Sequence, residues 1–234
     1  MIAAIAQAVA ALRPIGAEVF IVGLTGGVAA GKTTLAAALA SQLDVLGEGP
    51  THCASTDGFL RPNDELDAAG LTLRKGWPES YDHLRMARVL EAVRHGPARF
   101  PGYSHLNYDV DETSGPTLDR PKTLILEGLG FGHATPVDAL IYLDAPAAEL
   151  EGWYVERFVE FCGRARAGEA SFYSRFADLD DAGAAAMARM VWRGVNLPNL
   201  KENLAPLRAA ADLIVRKGPA HVFVSIERAA SVRR

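Results

Sequence analysis

The chain has 234 residues, of which 49% are hydrophobic and 22% charged, and its formal net charge is −4. This length and composition are typical of one globular domain with a sizeable core and without a clear second domain. The acidic balance and the lack of a lysine or arginine run argue against nucleic acid as a partner. Two cysteines far apart in the sequence favour reduced thiols in a cytoplasmic protein.

The alanine-rich residues 1–12 need to be tested as a targeting signal. They lack the basic region of a secretory signal, and they are too short to span a bilayer. We therefore expect an N-terminal helix within residues 1–17 that packs on the fold, with no association with a membrane.

The stretch Gly26–Thr33 fits the pattern G-x-x-x-x-G-K-[ST], which wraps nucleotide phosphates in backbone N–H groups. Residues 18–24 before it are β-branched, aromatic and apolar, as in a buried parallel strand. Residues 34–43 behind it are strong helix formers. A helix N-terminus in this position presents N–H donors and partial positive charge to an anion. These flanks favour a nucleoside triphosphate site over a chance glycine-rich turn.

Individual residues of the loop carry separate predictions. Gly26 and Gly31 permit backbone angles that a Cβ would hinder. Lys32 is expected to reach the β- and γ-phosphates, and the Thr33 hydroxyl to bind Mg²⁺. The predicted contacts to ATP are Gly26, Gly27, Val28, Ala29, Ala30, Gly31, Lys32, Thr33 and Thr34.

Acidic residues follow two further predicted strands. Residues 51–56 form a short strand that leads into Asp57, and residues 122–128 form a buried strand that carries Glu127. Ligands of open parallel sheets bind beyond the carboxyl ends of the strands, so we favour a place for Asp57 near the transferring phosphate over a turn cap. Glu127 is the candidate for holding Mg²⁺ or its water shell, because this hard cation prefers oxygen ligands.

Two segments between these strands carry polar and aromatic side chains. In residues 73–82, Lys75 is a candidate for a phosphate contact, and Ser80 is predicted to cap a helix over residues 81–95. Residues 100–109 are neither clean strand nor helix, and their tyrosines and histidine can present hydrogen-bonding tips to a polar substrate. Read alone, His105 is more often a structural histidine.

The C-terminal half predicts a strand over residues 139–144 and a helix over residues 150–161. Arg157 on this helix is a candidate for stabilising the phosphoryl group in flight, the alternative being a surface ion pair with Glu156 or Glu160. Residues 162–180 are a possible lid that brings arginines over the nucleotide. A further helix ends at Val195, and a late strand is predicted over residues 211–216.

Taken together, these stretches resemble the bacterial type I pantothenate kinases. The phosphate loop and the Glu127 strand are shared with kinases of uridine, ribulose phosphate and sugars, whereas the tyrosine–serine–histidine and Asn-Leu-Lys-x-Asn pieces are much more specific to that family. The matching pieces, in conserved order, are residues 26–34, 55–60, 74–82, 103–110, 125–128, 142–146, 153–158 and 199–203.

The resemblance implies an α/β fold, a three-layer P-loop kinase with a mostly parallel central sheet flanked by helices. It implies phosphorylation of the primary hydroxyl of pantothenate by ATP and Mg²⁺, the entry step of coenzyme A synthesis, in a homodimer. Lys32, Asp57 and Arg157 would be catalytic, with Asp57 accepting the hydroxyl proton, and His221 would lie near the adenine. The acceptor would be bound by Asp57, Tyr103, His105, Tyr154, Arg157 and Asn203.

The chain also departs from the family pattern. Its segment before the loop is short, Leu129-Gly130 stands where the family usually has an asparagine, and the chain reaches residues 142–144 early. The arginine that the family associates with coenzyme A feedback falls at Ala37. These departures keep two alternatives open: a kinase of another small alcohol (a nucleoside, sugar or glycerate) and a non-catalytic sensor of nucleotide or coenzyme A. A GTPase switch is disfavoured because no Asn-Lys-x-Asp signature is present.

Overall fold

The computed structural model of the chain describes residues 1–132 and 134–228. Its helices are α1 (Ile2–Ala10), α2 (Lys32–Val45), α3 (Asn63–Ala68), α4 (His83–His95), α5 (Ala147–Arg166), α6 (Asp181–Val191), α7 (Leu197–Asn199) and α8 (Ala205–Ala210). Its strands are β1 (Phe20–Gly26), β2 (Thr51–Ser55), β3 (Pro97–Arg99), β4 (Gly102–Ser104), β5 (Asp109–Asp111), β6 (Thr117–Asp119), β7 (Thr123–Glu127), β8 (Ala139–Asp144), β9 (Leu213–Lys217) and β10 (Phe223–Arg228). Across these residues, no helix has the length and apolar character that a membrane span requires.

Six strands form one sheet in the order β10-β9-β8-β1-β7-β2. All neighbours are parallel except β10, which pairs antiparallel with β9. Since β1, β7 and β2 are parallel neighbours, their carboxyl ends meet at one edge of the sheet. The mostly parallel sheet confirms the prediction. Two small antiparallel pairs, β3 with β6 and β4 with β5, lie outside it.

Side chains alternate between the two faces of the sheet, and each face has its own buried cluster. Phe20, Val22 and Leu24 of β1 join the apolar residues of α1, α2 and α5. Ile21 of the same strand joins those of α4 and α8 on the other face. A strand that is covered on both faces needs an unbroken apolar run, which explains the apolar sequence of β1. The result is the expected arrangement of three layers.

The connection from β1 to α2 depends on two glycines with positive φ, Gly26 at 147° and Gly31 at 86°. A Cβ on Gly26 would lie only 2.3 Å from the carbonyl oxygen of Leu143 in the neighbouring strand β8. Because glycine has no side chain, the loop can leave the sheet in close contact with the backbone of β8. Gly31 is the residue immediately before α2, so its left-handed conformation starts the helix directly after the loop.

The start of α4 differs from the prediction. Asp82, not Ser80, caps this helix, and its carboxylate accepts a hydrogen bond from the N–H of Arg85 at 2.8 Å. Ser80 is buried in a preceding turn, where its hydroxyl donates to the carbonyl of Trp77 at 2.7 Å and accepts from the N–H of Gly76 at 3.0 Å. Serine and aspartate are both good caps, and the hydroxyl is already used inside the turn.

The helical run from α6 to α8 is continuous, so the predicted break after Val195 is wrong. Residues 192–196 and 200–204 are π-helical, and Pro198 and Pro206 each lie near the start of the α-helical turn that follows such a segment. In a regular α-helix the proline ring clashes with the carbonyl four residues earlier. The wider π turn relieves that clash, which explains how two prolines fit inside one run.

We expect the substitution Gly26→Ala to lower the free energy of unfolding by about 3 kcal/mol, because the new Cβ meets main chain and the φ is strained. Urea unfolding followed by circular dichroism measures this. Gly152→Ala is the matched control: it lies in α5 with open space around its Cβ position, and it should stabilise by up to about 1 kcal/mol. Equal stabilities for the parent and Gly26→Ala would contradict this account of the loop.

Candidate functional site

The Lys32 ammonium is folded over the phosphate loop. It donates hydrogen bonds to the carbonyl oxygens of Gly26 at 3.1 Å and Gly27 at 3.0 Å. Burial lowers its pKa to about 8, and the nearby carboxylates of Glu127 and Asp57 oppose that shift. The cation of the loop therefore lies within electrostatic reach of both acids that the sequence places after strands.

Thr33 and Glu127 are in direct contact. The Thr33 hydroxyl donates to Oε1 of Glu127 at 2.9 Å, and Glu127 is 8% exposed at the end of β7. Burial raises the pKa of Glu127, while Lys32 and the Thr33 hydrogen bond lower it. Among residues 1–132 and 134–228, no group of three or more His, Cys, Asp or Glu could hold a metal by itself. A hydroxyl beside a carboxylate fits Mg²⁺, which uses few protein oxygens together with water and phosphate.

Asp57 lies in a short 3₁₀ turn, residues 56–59, directly after β2. The turn is capped by the Ser55 hydroxyl, which accepts from the N–H of Asp57 at 3.1 Å. Burial raises the pKa of Asp57, and four basic side chains from separate parts of the chain lower it. These are Lys32, His105, Lys75 and Arg157. The aspartate is thus the point where the phosphate loop, the segment of residues 73–82, the β4–β5 hairpin and helix α5 converge.

The hairpin of β4 and β5 carries the aromatic residues predicted for the acceptor. The Tyr103 ring lies edge-on to His105 at 5.2 Å and to Tyr108 at 5.9 Å, measured between ring centres. The Lys75 ammonium lies 5.2 Å from the centre of the Tyr103 ring and 5.1 Å from that of Tyr108. It also donates to Oδ1 of Asn63 at 2.6 Å and to the Tyr108 carbonyl. Lys75 therefore holds the hairpin in place and is not free as a surface cation.

Helix α5 presents Tyr154 and Arg157 to the same site. Burial raises the pKa of Tyr154, and the neighbouring Asn196 amide lowers it. The buried Nδ2 of Asn196 has no hydrogen-bond partner among the described residues. Arg157 is exposed, and its charge acts on Asp57 and Lys32. Within the described part of the chain, Arg157 forms no ion pair, including none with Glu156 or Glu160. Its guanidinium is accordingly available to a ligand.

The segment proposed as a lid, residues 162–180, contains the end of α5 and a 3₁₀ turn over residues 172–176. Phe172 in this turn stacks on Tyr108 with ring centres 4.2 Å apart. Two of its arginines are bound to local acids, Arg164 to Glu169 and Arg166 to Asp181. The segment is therefore joined to the β4–β5 hairpin by an aromatic contact; closure over the nucleotide stays a prediction.

His221 follows β9 and stacks on Trp153 of α5, with ring centres 3.8 Å apart. Burial and the neighbouring Lys217 lower its pKa. Sequence reasoning missed Lys217, which is 6% exposed and donates to the carbonyl oxygen of Ala30 in the phosphate loop at 2.8 Å. Burial lowers the pKa of this lysine too. The sequence did contain a signal for this lysine. Arg216 and Lys217 are consecutive in a strand, so they point to opposite faces, and one of the two cations must lie on a buried face.

Asn203, predicted for the acceptor, lies on the helical run between α7 and α8. Its Nδ2 donates to Oδ1 of Asn199 at 2.9 Å, and Nδ2 of Asn199 donates to the Gly76 carbonyl at 2.9 Å. Asn196 and Asn199 carry no assignment from the sequence. The spacing of Asn196, Asn199 and Asn203, three and then four residues, was the signal that could have grouped them on one helical face.

No family model matches the sequence, but relatives and solved structures similar to it were found. A pantothenate kinase of Sorangium cellulosum is 39% identical over 95% of this chain and 75% of that protein. A pantothenate kinase of a Chelativorans species is 40% identical over 88% of this chain and 70% of that protein. A solved Silicibacter structure, described as a candidate fructose transport system kinase, superposes with a TM-score of 0.71 at 24% identity over 88% of this chain and 94% of that one.

The structural likeness shows the fold, and the sequence relatives show the family, because the alignments span most of both chains at well over 30% identity. Both agree with a phosphate loop that follows a strand of a mostly parallel sheet. The chain belongs to the pantothenate kinase family, on a P-loop kinase fold.

Proposed function

We propose that the protein phosphorylates the primary hydroxyl of pantothenate with ATP, giving 4'-phosphopantothenate and ADP. The observation that carries this proposal is the position of Asp57. Its turn follows β2 and packs against the chain that enters β4, where a Cβ on Gly58 would lie 2.1 Å from the Pro101 carbonyl oxygen, and the charges of Lys32, Lys75 and Arg157 act on its carboxylate. One carboxylate thereby lies between the place for the phosphates and the place for the alcohol. The names of the relatives supply the acceptor, and membership of a kinase family implies the use of ATP.

In the reaction the alcohol oxygen bonds to the γ-phosphorus while the bond to the β–γ bridging oxygen breaks, so ADP leaves. The hydroxyl proton passes to the carboxylate of Asp57. Burial raises the pKa of this carboxyl, which makes it a better acceptor than a solvated aspartate. Because bond formation lags in such a loose transition state, a carboxylate that takes the proton late is sufficient.

Charge and alignment supply most of the acceleration in phosphoryl transfer. Lys32 would contact the β- and γ-phosphates, and Arg157 would contact the transferred phosphoryl group from α5. Both would stabilise the charge of the transition state. Thr33 and Glu127 would hold Mg²⁺, which when bound neutralises charge on the phosphate oxygens. Tyr103, His105, Tyr154 and Asn203 would bind the rest of the acceptor. Each of these roles is consistent with the side chain's position near Asp57, on the hairpin or on the flanking helices.

On the nucleotide side we assign a role to Lys217. Its buried ammonium binds the Ala30 carbonyl, and a Cβ on Gly31 would lie 2.8 Å from that nitrogen. The lysine therefore supports the turn that points the loop N–H groups at the phosphates and adds positive charge behind them. His221, stacked on Trp153, is the proposed neighbour of the adenine ring.

We expect Lys217→Met to raise the KM for ATP about tenfold or more, because a charge-assisted hydrogen bond that shapes the loop is lost. The KM for the alcohol should stay within about twofold. Arg216→Met, a cation on the opposite face of the same strand, is the matched control and should leave both constants unchanged. Steady-state kinetics with either substrate varied measures this, and an unchanged KM for ATP in Lys217→Met would remove the lysine from the nucleotide site.

Three finer predictions from the sequence remain proposals: a homodimer, a cytoplasmic location and altered coenzyme A feedback at Ala37. The departure at Leu129-Gly130 lies next to the site, since a Cβ on Gly130 would be 2.7 Å from the buried Tyr81 ring. Burial and the charge of Asp57 raise the pKa of Tyr81. This proximity is the reason to compare pantothenate with other small alcohols.

A coupled assay of ADP release over pantothenate, nucleosides, sugars and glycerate tests the acceptor. We expect kcat/KM to be highest for pantothenate by at least about tenfold, since every residue that the resemblance assigns to the acceptor is present. Clear turnover of another alcohol without turnover of pantothenate would give the runner-up function, a related small-molecule kinase. Tight binding of nucleotide with no transfer to any alcohol would instead indicate a non-catalytic sensor.

A further inference from the structure

Tyr81 is a buried tyrosine whose hydroxyl is unpaired. The residue is 3% exposed, and its hydroxyl has no hydrogen-bond partner among the described residues. Buried polar groups are nearly always hydrogen-bonded, because an unpaired one loses its contact with water without compensation. A phenylalanine would fill the same space without that cost. The hydroxyl is therefore explained best by a partner that binds from outside the chain.

The main chain of Tyr81 is fixed to the turn that carries Asp57. Leu60 and Tyr81 form an antiparallel bridge. Beside the bridge, the N–H of Asp82 donates to the carbonyl of Phe59 at 2.8 Å. Phe59 is the last residue of the 3₁₀ turn that contains Asp57, and Leu60 follows it directly. Tyr81 and Asp57 are therefore held in one local unit, although they are far apart in the sequence.

The ring of Tyr81 lies beside the two chain segments that follow β2 and β7. A Cβ on Gly130 would lie 2.7 Å from both Cδ1 and Cε1 of the ring and 3.1 Å from the Cβ of Thr56. Thr56 begins the turn of Asp57, and Gly130 comes three residues after Glu127. The N–H of Gly130 also donates to the Thr56 hydroxyl at 3.2 Å. The ring is thus packed next to the segments that position both acids.

The Tyr81 hydroxyl lies within electrostatic reach of both acids. Burial raises the pKa of the tyrosine well above its ordinary value, and the charge of Asp57 is the next largest cause. The neighbouring Thr56 hydroxyl lowers this pKa, whereas Tyr103 and Glu127 raise it further. The side chain is therefore a neutral phenol, which has a proton to donate. An oxygen atom bound beside Asp57 would supply the missing acceptor.

Gly130 leaves the space that this arrangement needs. Side-chain atoms do not pack at 2.7 Å, so any residue with a Cβ at position 130 would displace the Tyr81 ring or the turn. The chain departs from the family pattern at this point, where Leu129-Gly130 stands in place of an asparagine. The departure therefore has a structural consequence, which is room for the ring of Tyr81 next to the turn of Asp57.

We propose that Tyr81 is a further catalytic residue, whose hydroxyl donates a hydrogen bond to the reacting oxygen of the alcohol. The inference rests on the proposed function in taking Asp57 as the acceptor of the alcohol proton. One lone pair of the alcohol oxygen then faces Tyr81, its proton faces Asp57, and its other lone pair is left for the γ-phosphorus. Tyr81 keeps its own proton, so the bonds that form and break are those of the transfer described above.

The variant Tyr81→Phe tests the proposal, because it removes one oxygen atom and leaves the ring in place. We expect kcat at saturating pantothenate and ATP to fall at least about tenfold, as for the loss of one hydrogen bond to the reacting group. The KM for ATP should stay within about twofold. The melting temperature should equal or exceed that of the parent, because the hydroxyl has no partner in the protein to lose.

Tyr142→Phe is the matched control. Tyr142 is also 3% exposed, but it lies in β8, and the charges that act on it are those of Asp144 and Arg208. Its kcat and both KM values should match those of the parent. Steady-state kinetics with either substrate varied and thermal unfolding followed by circular dichroism measure these quantities for the parent and both variants.

A kcat within about twofold of the parent in Tyr81→Phe would overturn the proposal, since the hydroxyl would then hold no reacting atom. A lower melting temperature together with a raised KM for ATP would overturn it too and give Tyr81 a structural role. If the parent does not turn over pantothenate, the proposed acceptor fails instead. The same comparison is then made with the alcohol that the parent phosphorylates best, and transfer to no alcohol at all would overturn both proposals.

Discussion

The site depends on a lysine ammonium held within electrostatic reach of two carboxylates at one edge of a parallel sheet. Lys32 follows β1, Glu127 ends β7 and Asp57 follows β2, and these strands are parallel neighbours. The sheet therefore fixes the relative positions of the cation, the proposed metal ligand and the proposed base without any need for long flexible side chains. Burial lowers the pKa of the lysine and raises those of both acids. Each group is thus sensitive to the charge of the others and to the phosphates that the loop is built to bind.

The proposed acceptor side is built differently, from a short hairpin and one helical run fixed to each other through the segment of residues 73–82. Lys75 lies against the hairpin tyrosines, and its neighbour Gly76 receives the hydrogen bond from Asn199. Phe172 closes the far side of the hairpin by stacking on Tyr108. The sheet thus sets the geometry of the phosphate side, whereas hydrogen bonds and aromatic packing set the geometry of the proposed acceptor side. Differences in acceptor among kinases of this fold can then arise without changes to the phosphate loop.

Local patterns sufficed for the phosphate loop and the strands beside it, because glycine spacing and apolar runs are set by backbone and burial at those positions. They failed where a contact joins distant residues. Lys217 binds Ala30 across 187 residues, and Asn199 binds Gly76 across 123. The predicted cap of α4 was wrong because Ser80 and Asp82 are both good caps in sequence. Only the tertiary turn, in which the Ser80 hydroxyl binds the Trp77 carbonyl, leaves Asp82 as the cap. The residues proposed for the acceptor come from the family resemblance alone, since no local rule assigns a tyrosine or an asparagine to a substrate.

The claim that all of these parts meet at Asp57 is tested most directly by single-turnover transfer in Asp57→Asn, at saturating ATP and pantothenate. The asparagine keeps the volume of the side chain but cannot take the hydroxyl proton. We predict that the transfer rate falls about a thousandfold while the dissociation constants of both substrates change little. A transfer rate within about tenfold of the parent would contradict the account, because the alcohol would then lose its proton elsewhere.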